Sequence, residues 1–174
     1  MHILIAVASR HGGTREIAEG IAQELRALRH TVDVRDAGQA AMDGEDAVII
    51  GSAVYMGNWL PAARAFVTAN QFALRGMPVW LFSSGPLGTE TEDAHGRDVR
   101  VAATPKDVAG LAESLHAKGH RVFFGALDPD ALKGPEGLMA KLPGGRKMLP
   151  EGDFRDWDEI DGWAQEIGRE LHPA

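Results

Sequence analysis

Residues 3–18 decide the fold, and they read Ile3-Leu4-Ile5-Ala6-Val7-Ala8-Ser9-Arg10-His11-Gly12-Gly13-Thr14-Arg15-Glu16-Ile17-Ala18. The first six residues are apolar and predict a buried β-strand, whereas the apolar residues from Ile17 onward recur at helical spacing. A Ser-x-x-Gly-x-Thr turn joins the two elements. The N–H groups that begin a helix lack intrahelical partners and carry partial positive charge, so an anion can bind there. The stretch therefore predicts a phosphate site.

The residue types in this turn suit a phosphate. Gly12 and Gly13 allow backbone conformations in which consecutive amides turn toward one point. The hydroxyls of Ser9 and Thr14 can donate to phosphate oxygens, and Thr14 is also suited to cap the helix. Neither Gly-x-x-x-x-Gly-Lys-Ser/Thr nor Gly-x-Gly-x-x-Gly occurs here, so this is neither a P-loop nor a dinucleotide fingerprint. An ordinary strand–helix turn with a threonine cap is the alternative.

Composition sets the class of protein. The chain has 174 residues, of which 44% are hydrophobic and 25% charged, and this predicts a single globular domain over residues 1–174. The net charge of −7 argues against nucleic-acid binding and favours solubility or docking to a basic partner. The absence of cysteine excludes disulfides and thiolate chemistry. His116 and His120 lack a third ligand, so we expect no metal site. Without a signal-peptide pattern or a membrane span, we expect a cytoplasmic protein.

Strands and helices alternate along the chain, and the strands are continuous apolar runs, which is typical of a parallel sheet covered on both faces. The prediction is an α/β three-layer sandwich with a five-stranded parallel sheet of order 2-1-3-4-5 and helices on both faces. In that order the chain reverses direction between strands one and three, and ligands bind at the carboxyl ends there. The predicted strands are residues 3–8, 31–34, 47–51, 78–83 and 121–127. The predicted helices are residues 14–29, 58–67, 106–117 and 157–171. Residues 128–152 are rich in Pro and Gly and read as an inserted loop.

Two further loops, residues 52–59 and 83–88, are predicted at the same crevice. A planar ring needs aromatic or sulfur-bearing surfaces to stack on, and the candidates for stacking are Tyr55 and Trp59. The glycines that would allow close backbone approach to a ring are Gly57, Gly85 and Gly88. The alternative is that Tyr55, Met56 and Trp59 cap the end of the sheet and pack on the second helix.

These motifs together resemble a known family. Residues 8–14, followed by Val48-Ile49-Ile50-Gly51-Ser52-Ala53-Val54-Tyr55-Met56-Gly57, are similar to the flavodoxin superfamily and, more narrowly, to the flavodoxin-type menaquinone-dependent protoporphyrinogen oxidase family. Phe124-Gly125-Ala126-Leu127 and the Asp156-Trp157 pair that opens the last helix resemble the C-terminal pattern of that family. Residues 127–152 depart from it, because they are rich in Gly and Pro with mixed charge where the family is more apolar and basic.

The resemblance implies one noncovalently bound FMN. Because the flavin carries the redox chemistry, no catalytic side chain is expected. The residues that would hold the phosphate are Ser9, Arg10, His11, Gly12, Gly13 and Thr14. Those that would flank the N5 side of the ring are Ala53, Val54, Tyr55, Met56, Gly57, Asn58 and Trp59. Those that would lie along the opposite edge are Ser84, Gly85, Pro86, Leu87 and Gly88. Arg10 and His11 either add charge beside the phosphate or point to solvent.

Two functions remain open at this stage. The first is a flavin-dependent oxidoreductase of the protoporphyrinogen oxidase or quinone-reductase kind, which takes electrons from a small organic or quinone substrate. The second is a noncatalytic flavodoxin that carries electrons between partner proteins. A phosphorylated receiver domain is excluded because Gly51, rather than Asp, ends the third strand, and no lysine ends the fifth. A deazaflavin in place of FMN and the oligomeric state stay undecided.

Overall fold

A computed structural model describes residues 1–128 and 151–171. The main sheet has five parallel strands, which lie in the order 2-1-3-4-5 when they are counted along the chain, and this confirms the predicted order. The strands of this sheet are β1 (His2–Ala8), β2 (Thr31–Asp36), β3 (Ala47–Tyr55), β5 (Val79–Ser84) and β6 (Gly119–Phe123). The short β4 (Asn58–Trp59) pairs antiparallel with β3.

Helices cover both faces of the sheet, as the sequence predicts. Their bounds are α1 (Gly13–Ala27), α2 (Pro61–Leu74), α3 (Val99–Ala102), α4 (Val108–Leu115) and α5 (Trp157–Leu171). Alternate residues of a strand point to opposite faces, so β1 contributes to two apolar cores. Ile3, Ile5 and Val7 pack with α1 and α5, while Leu4 and Ala6 pack with α2 and α4. The three-layer prediction is thus confirmed.

Several predicted boundaries are wrong for identifiable reasons. The third strand runs to Tyr55 instead of Gly51, because its end forms a hairpin with β4. That hairpin uses Asn58, so α2 begins at Pro61, where the Ser52 hydroxyl accepts the N–H of Leu60 at 3.0 Å. A proline in the first turn costs the helix no hydrogen bond.

The predicted fifth strand is in fact two elements. The strand β6 ends at Phe123, and Ala126–Leu127 forms a separate strand, β7, that pairs antiparallel with β8 (Gly152–Asp153). We call this pair the ribbon. One strand of the ribbon precedes the predicted insert and the other lies at its end. Residues 129–150 of the insert lie outside the described part of the chain. None of the helices in residues 1–128 and 151–171 is long and apolar enough to cross a membrane.

Candidate functional site

The loop after β1 has the backbone that a phosphate site needs. Gly12 adopts a φ of 93°, a left-handed conformation that side chains oppose, and its N–H donates to the Ser9 hydroxyl at 3.1 Å. The first intrahelical bond of α1 runs from the Glu16 N–H to the Gly12 carbonyl at 3.0 Å. The N–H groups of residues 13–15 therefore have no intrahelical acceptor. Because the Ser9 oxygen accepts that bond, its own proton is left to donate.

The capping role predicted for Thr14 is wrong. The residue at the N-cap of α1 is Gly12, which makes no side-chain capping bond, and Thr14 is the second residue inside the helix. Only 4% of Thr14 is exposed. A threonine in the first turn can still donate its hydroxyl to a ligand at the helix terminus, so its contact with a phosphate stays a prediction.

The segment predicted to flank a ring is a tight hairpin. Val54 pairs with Trp59 and Tyr55 with Asn58, which leaves Met56 and Gly57 as a two-residue turn. Both turn residues have positive φ, 49° and 76°, as a type I′ turn requires. Met56 is 95% exposed at the tip. The hairpin therefore projects an apolar side chain from the carboxyl edge of the sheet.

Arg10 and Tyr55 connect the predicted phosphate loop, residues 9–14, with this hairpin. The guanidinium carbon of Arg10 lies 4.5 Å from the centroid of the Tyr55 ring, a cation–π contact. The sequence left open whether Arg10 faces the phosphate or solvent, and the structure sets it over the aromatic ring. Tyr55 is partly exposed, at the carboxyl edge of the sheet.

The stacking role predicted for Trp59 is wrong. Its side chain is 1% exposed and belongs to the apolar core under α2, together with Ala63 and Phe66. The indole N–H donates to the Ser83 hydroxyl at 2.8 Å. A ring buried this way presents no face to a ligand. For Trp59 the alternative reading, packing at the end of the sheet against the second helix, is the correct one.

A buried polar group missed by the sequence analysis lies beneath the hairpin. The Ser83 hydroxyl that accepts from Trp59 also lies 2.8 Å from Nε2 of His120. Burial lowers the pKa of His120 to about 4, so its ring is neutral near neutral pH. This chain of side chains ties the hairpin to β5 and β6. No local sequence pattern predicts these hydrogen bonds, because Trp59, Ser83 and His120 come from three separate strands.

The loop after β5 is held by backbone bonds to its neighbours. The N–H of Gly85 donates to the carbonyl of Phe123 at 3.3 Å, and the N–H of Gly125 donates to the carbonyl of Pro86 at 2.8 Å. The Gly125 carbonyl in turn accepts the N–H of Phe154 at 3.1 Å. The loop after β5, the segment after β6 and the segment before α5 therefore run side by side.

The three predicted segments meet at one edge of the sheet. Ser84, the last residue of β5, pairs with Ala53 of β3, and the hairpin begins at the next residue of β3, so the hairpin and the loop after β5 leave the sheet side by side. A Cβ on Gly85 would lie 3.1 Å from Cβ of Val54. Together with the contact between Arg10 and Tyr55, this places the loop after β1, the hairpin and the loop after β5 along one rim of the sheet.

The ribbon adds a fourth segment that the sequence analysis did not assign to the site. A Cβ on Gly13 would lie 3.4 Å from the carbonyl oxygen of Ala126, so the ribbon closely approaches the phosphate loop. Between them is an open surface depression of about 520 Å³. Residues that line it include His11, Gly13, Glu16, Ala126, Asp153 and Arg155.

Comparison with known proteins agrees with this architecture. A family model described as a flavodoxin domain matches residues 4–142, well over half of the chain. The chain belongs to the flavodoxin domain family. It is a flavodoxin-like protein by fold and by family, and the predicted resemblance is confirmed at that level.

Individual relatives refine the picture. The chain is 26% identical to the protoporphyrinogen IX dehydrogenase [quinone] of Escherichia coli K12, over 96% of this chain and 94% of that protein. Among solved structures, a flavodoxin from the domain Archaea superposes with a TM-score of 0.63 at 14% identity, covering 98% of this chain and 99% of that one. Rubredoxin oxygen:oxidoreductase from Desulfovibrio gigas superposes with a TM-score of 0.61 at 15% identity. The match covers 98% of this chain but only 36% of that one. These two likenesses concern the fold.

Proposed function

We propose that the protein is an FMN-binding oxidoreductase whose flavin is held noncovalently at the carboxyl edge of the sheet. The observation that carries the proposal is the loop after β1, where the positive φ of Gly12 and the free first turn of α1 form a cradle for a phosphate. Among the residues that the structure describes, the one atom within 4 Å of a Cβ placed on Gly12 is a carboxylate oxygen of Glu16, at 3.9 Å, so these residues leave room beside the loop. The residues present therefore fit the phosphate of FMN.

Each segment of the rim has a part in the proposal. The Ser9 hydroxyl and the amides that open α1 would bind the phosphate, with Arg10, His11 and Thr14 beside them. Tyr55 and the backbone of the hairpin would bind one side of the ring. Residues 84–88 would bind the opposite edge. Bound FMN supplies one- and two-electron chemistry, so the protein's share is to bind it, to orient it and to exclude water.

For the substrate we propose a small reduced organic molecule of the protoporphyrinogen type, with a quinone as electron acceptor. Support comes from the similarity to the E. coli protoporphyrinogen IX dehydrogenase [quinone], which extends over 94% of that protein. The proposal also keeps the protein in the cytoplasm, where such a substrate would be met. The test mixes FMN-loaded protein with protoporphyrinogen in a stopped-flow instrument. Bleaching of the flavin absorbance, followed by its return with a menaquinone analogue, would support the proposal.

An electron carrier is the second candidate, and the net charge of −7 favours it. An acidic surface suits docking to a basic redox partner. In the same stopped-flow experiment a carrier would show no reduction with any small substrate, but rapid reduction by a flavodoxin reductase. The spectrum of the purified protein separates FMN from a deazaflavin, because the two rings absorb at different wavelengths.

A further inference from the structure

Arg155 is almost entirely enclosed, although it precedes α5 in a segment with no predicted role. Its side chain is 7% exposed. An arginine so buried must find partners for its N–H groups. Two of these groups bond Asp153 at 2.7 and 2.6 Å, and the guanidinium lies 4.8 Å from the centroid of the Trp157 ring. These contacts orient the guanidinium toward α1.

The remaining contacts of Arg155 reach the phosphate loop. Its Nη1 lies 2.6 Å from Oε2 of Glu16 and 3.3 Å from the carbonyl oxygen of Gly13. Both acceptors belong to the first turn of α1. A residue 139 positions away therefore holds the turn that is proposed to receive a phosphate.

Glu16 makes this contact significant. A carboxylate in the first turn of a helix is stabilised by the helix dipole, but a phosphate uses the same terminus. The other oxygen of Glu16 lies 3.9 Å from the Cβ position of Gly12, so the carboxylate borders the cradle. Two anions at one terminus repel each other unless a cation lies between them and their charge is compensated. Within the described residues, Arg155 is the cation that bonds Glu16.

We propose that Arg155 is a positioning residue for the phosphate loop: it neutralises Glu16 and fixes the Gly13 carbonyl, and so sets the preference for a phosphorylated over an unphosphorylated flavin. The inference rests on the proposed FMN site. It assigns to the segment between the ribbon and α5 an effect on cofactor specificity that acts through the first turn of α1.

The test compares FMN with riboflavin, which lacks the phosphate. Dissociation constants for both are measured by quenching of flavin fluorescence with wild-type protein, Arg155→Met, Glu16→Gln and the double variant. We expect Arg155→Met to weaken FMN binding about tenfold while riboflavin binding changes by less than about threefold. Removing Glu16 as well should restore most of the lost FMN affinity, since the uncompensated carboxylate is gone.

The variant should fold, because Glu16 and Asp153 are 62% and 50% exposed and can be hydrated once Arg155 is gone. Arg100→Met is the matched control. It removes an arginine that pairs with Glu159 of α5 and Asp98, away from the phosphate loop, and should leave both affinities unchanged. A thermal melt of each variant checks its folding.

The outcomes separate the two proposals. If Arg155→Met weakens FMN and riboflavin by the same factor, or if the double variant binds FMN as poorly as the single one, Arg155 is merely structural and this inference is overturned. If wild-type protein binds neither flavin, the proposed function itself fails. A selective loss of FMN affinity that Glu16→Gln reverses supports both.

Discussion

The loop after β1 and the hairpin after β3 border the same crevice, but different forces shape them. The loop takes its form from its own residues: Gly12 supplies the positive φ, and Ser9 accepts a bond from an amide three residues ahead. The hairpin depends on distant contacts, because Trp59 is buried against Ser83, 24 residues away. A loop shaped by neighbouring residues can be predicted from sequence, whereas the burial of one aromatic ring in a hairpin depends on the rest of the fold.

The largest expected effect comes from filling the phosphate loop. Gly13→Leu with Thr14→Val removes a hydroxyl and forces a side chain against Ala126, whose carbonyl is 3.4 Å from the Cβ position of Gly13. We expect FMN affinity to fall at least about 100-fold, or about 3 kcal/mol, in a calorimetric titration. Gly110→Leu with Thr68→Val makes the same exchanges at exposed helical positions and should leave binding unchanged.

The second prediction tests whether Trp59 belongs to the core. Trp59→Phe deletes the indole N–H that bonds Ser83 and leaves a cavity, so we expect a loss of about 2 kcal/mol in the free energy of unfolding. Urea denaturation measures it. FMN affinity should stay within about threefold, since the ring faces no ligand. Phe72→Leu, at an aromatic residue of α2 that is 94% exposed, serves as control and should change neither quantity. An affinity loss without a stability loss at Trp59 would restore its stacking role.

Tyr55 is expected to behave in the opposite way. Its ring is partly exposed beneath Arg10, so Tyr55→Ala should weaken FMN binding about tenfold, or about 1.4 kcal/mol, through lost stacking. The free energy of unfolding should change by less than about 0.5 kcal/mol. Tyr55→Phe keeps the ring and should retain the affinity. Equal binding by the alanine variant would remove Tyr55 from the proposed site.

The features that the sequence predicts correctly are the local ones, and those that it misses depend on distant contacts. The strands of the sheet follow from apolar runs, and the glycine turn between β1 and α1 follows from residues within a few positions of each other. The bond from Trp59 to Ser83 and the bond from Arg155 to Glu16 each join residues far apart in the chain, so no spacing rule reveals them. The ribbon was hidden for another reason: Ala126–Leu127 continues the apolar run of β6, although it pairs with Gly152–Asp153.

The smallest expected effect concerns pH and the polar group beneath the hairpin. The pKa of His120 is about 4 in the folded protein, below the ordinary value of 6.5, because burial disfavours the charged ring. As the pH falls below about 6.5, His120 binds a proton in the unfolded chain but not in the folded protein. The free energy of unfolding therefore decreases until the pH reaches about 4.

Since His120 is only partly buried, solvent screening reduces the effect, and we expect about 1 kcal/mol between about pH 7 and pH 5. His120→Gln can keep a hydrogen bond to Ser83 without titrating. Urea denaturation at both pH values should show a weaker pH dependence in this variant by about that amount. An identical pH dependence in both proteins would mean that His120 titrates normally.

The most direct test of the proposed site is a calorimetric titration of flavin-free wild-type protein with FMN and, separately, with riboflavin. The account predicts one FMN per chain and an affinity at least about 100-fold above that for riboflavin, because the phosphate meets the first turn of α1. Equal affinities for the two, or no binding of either, would contradict it.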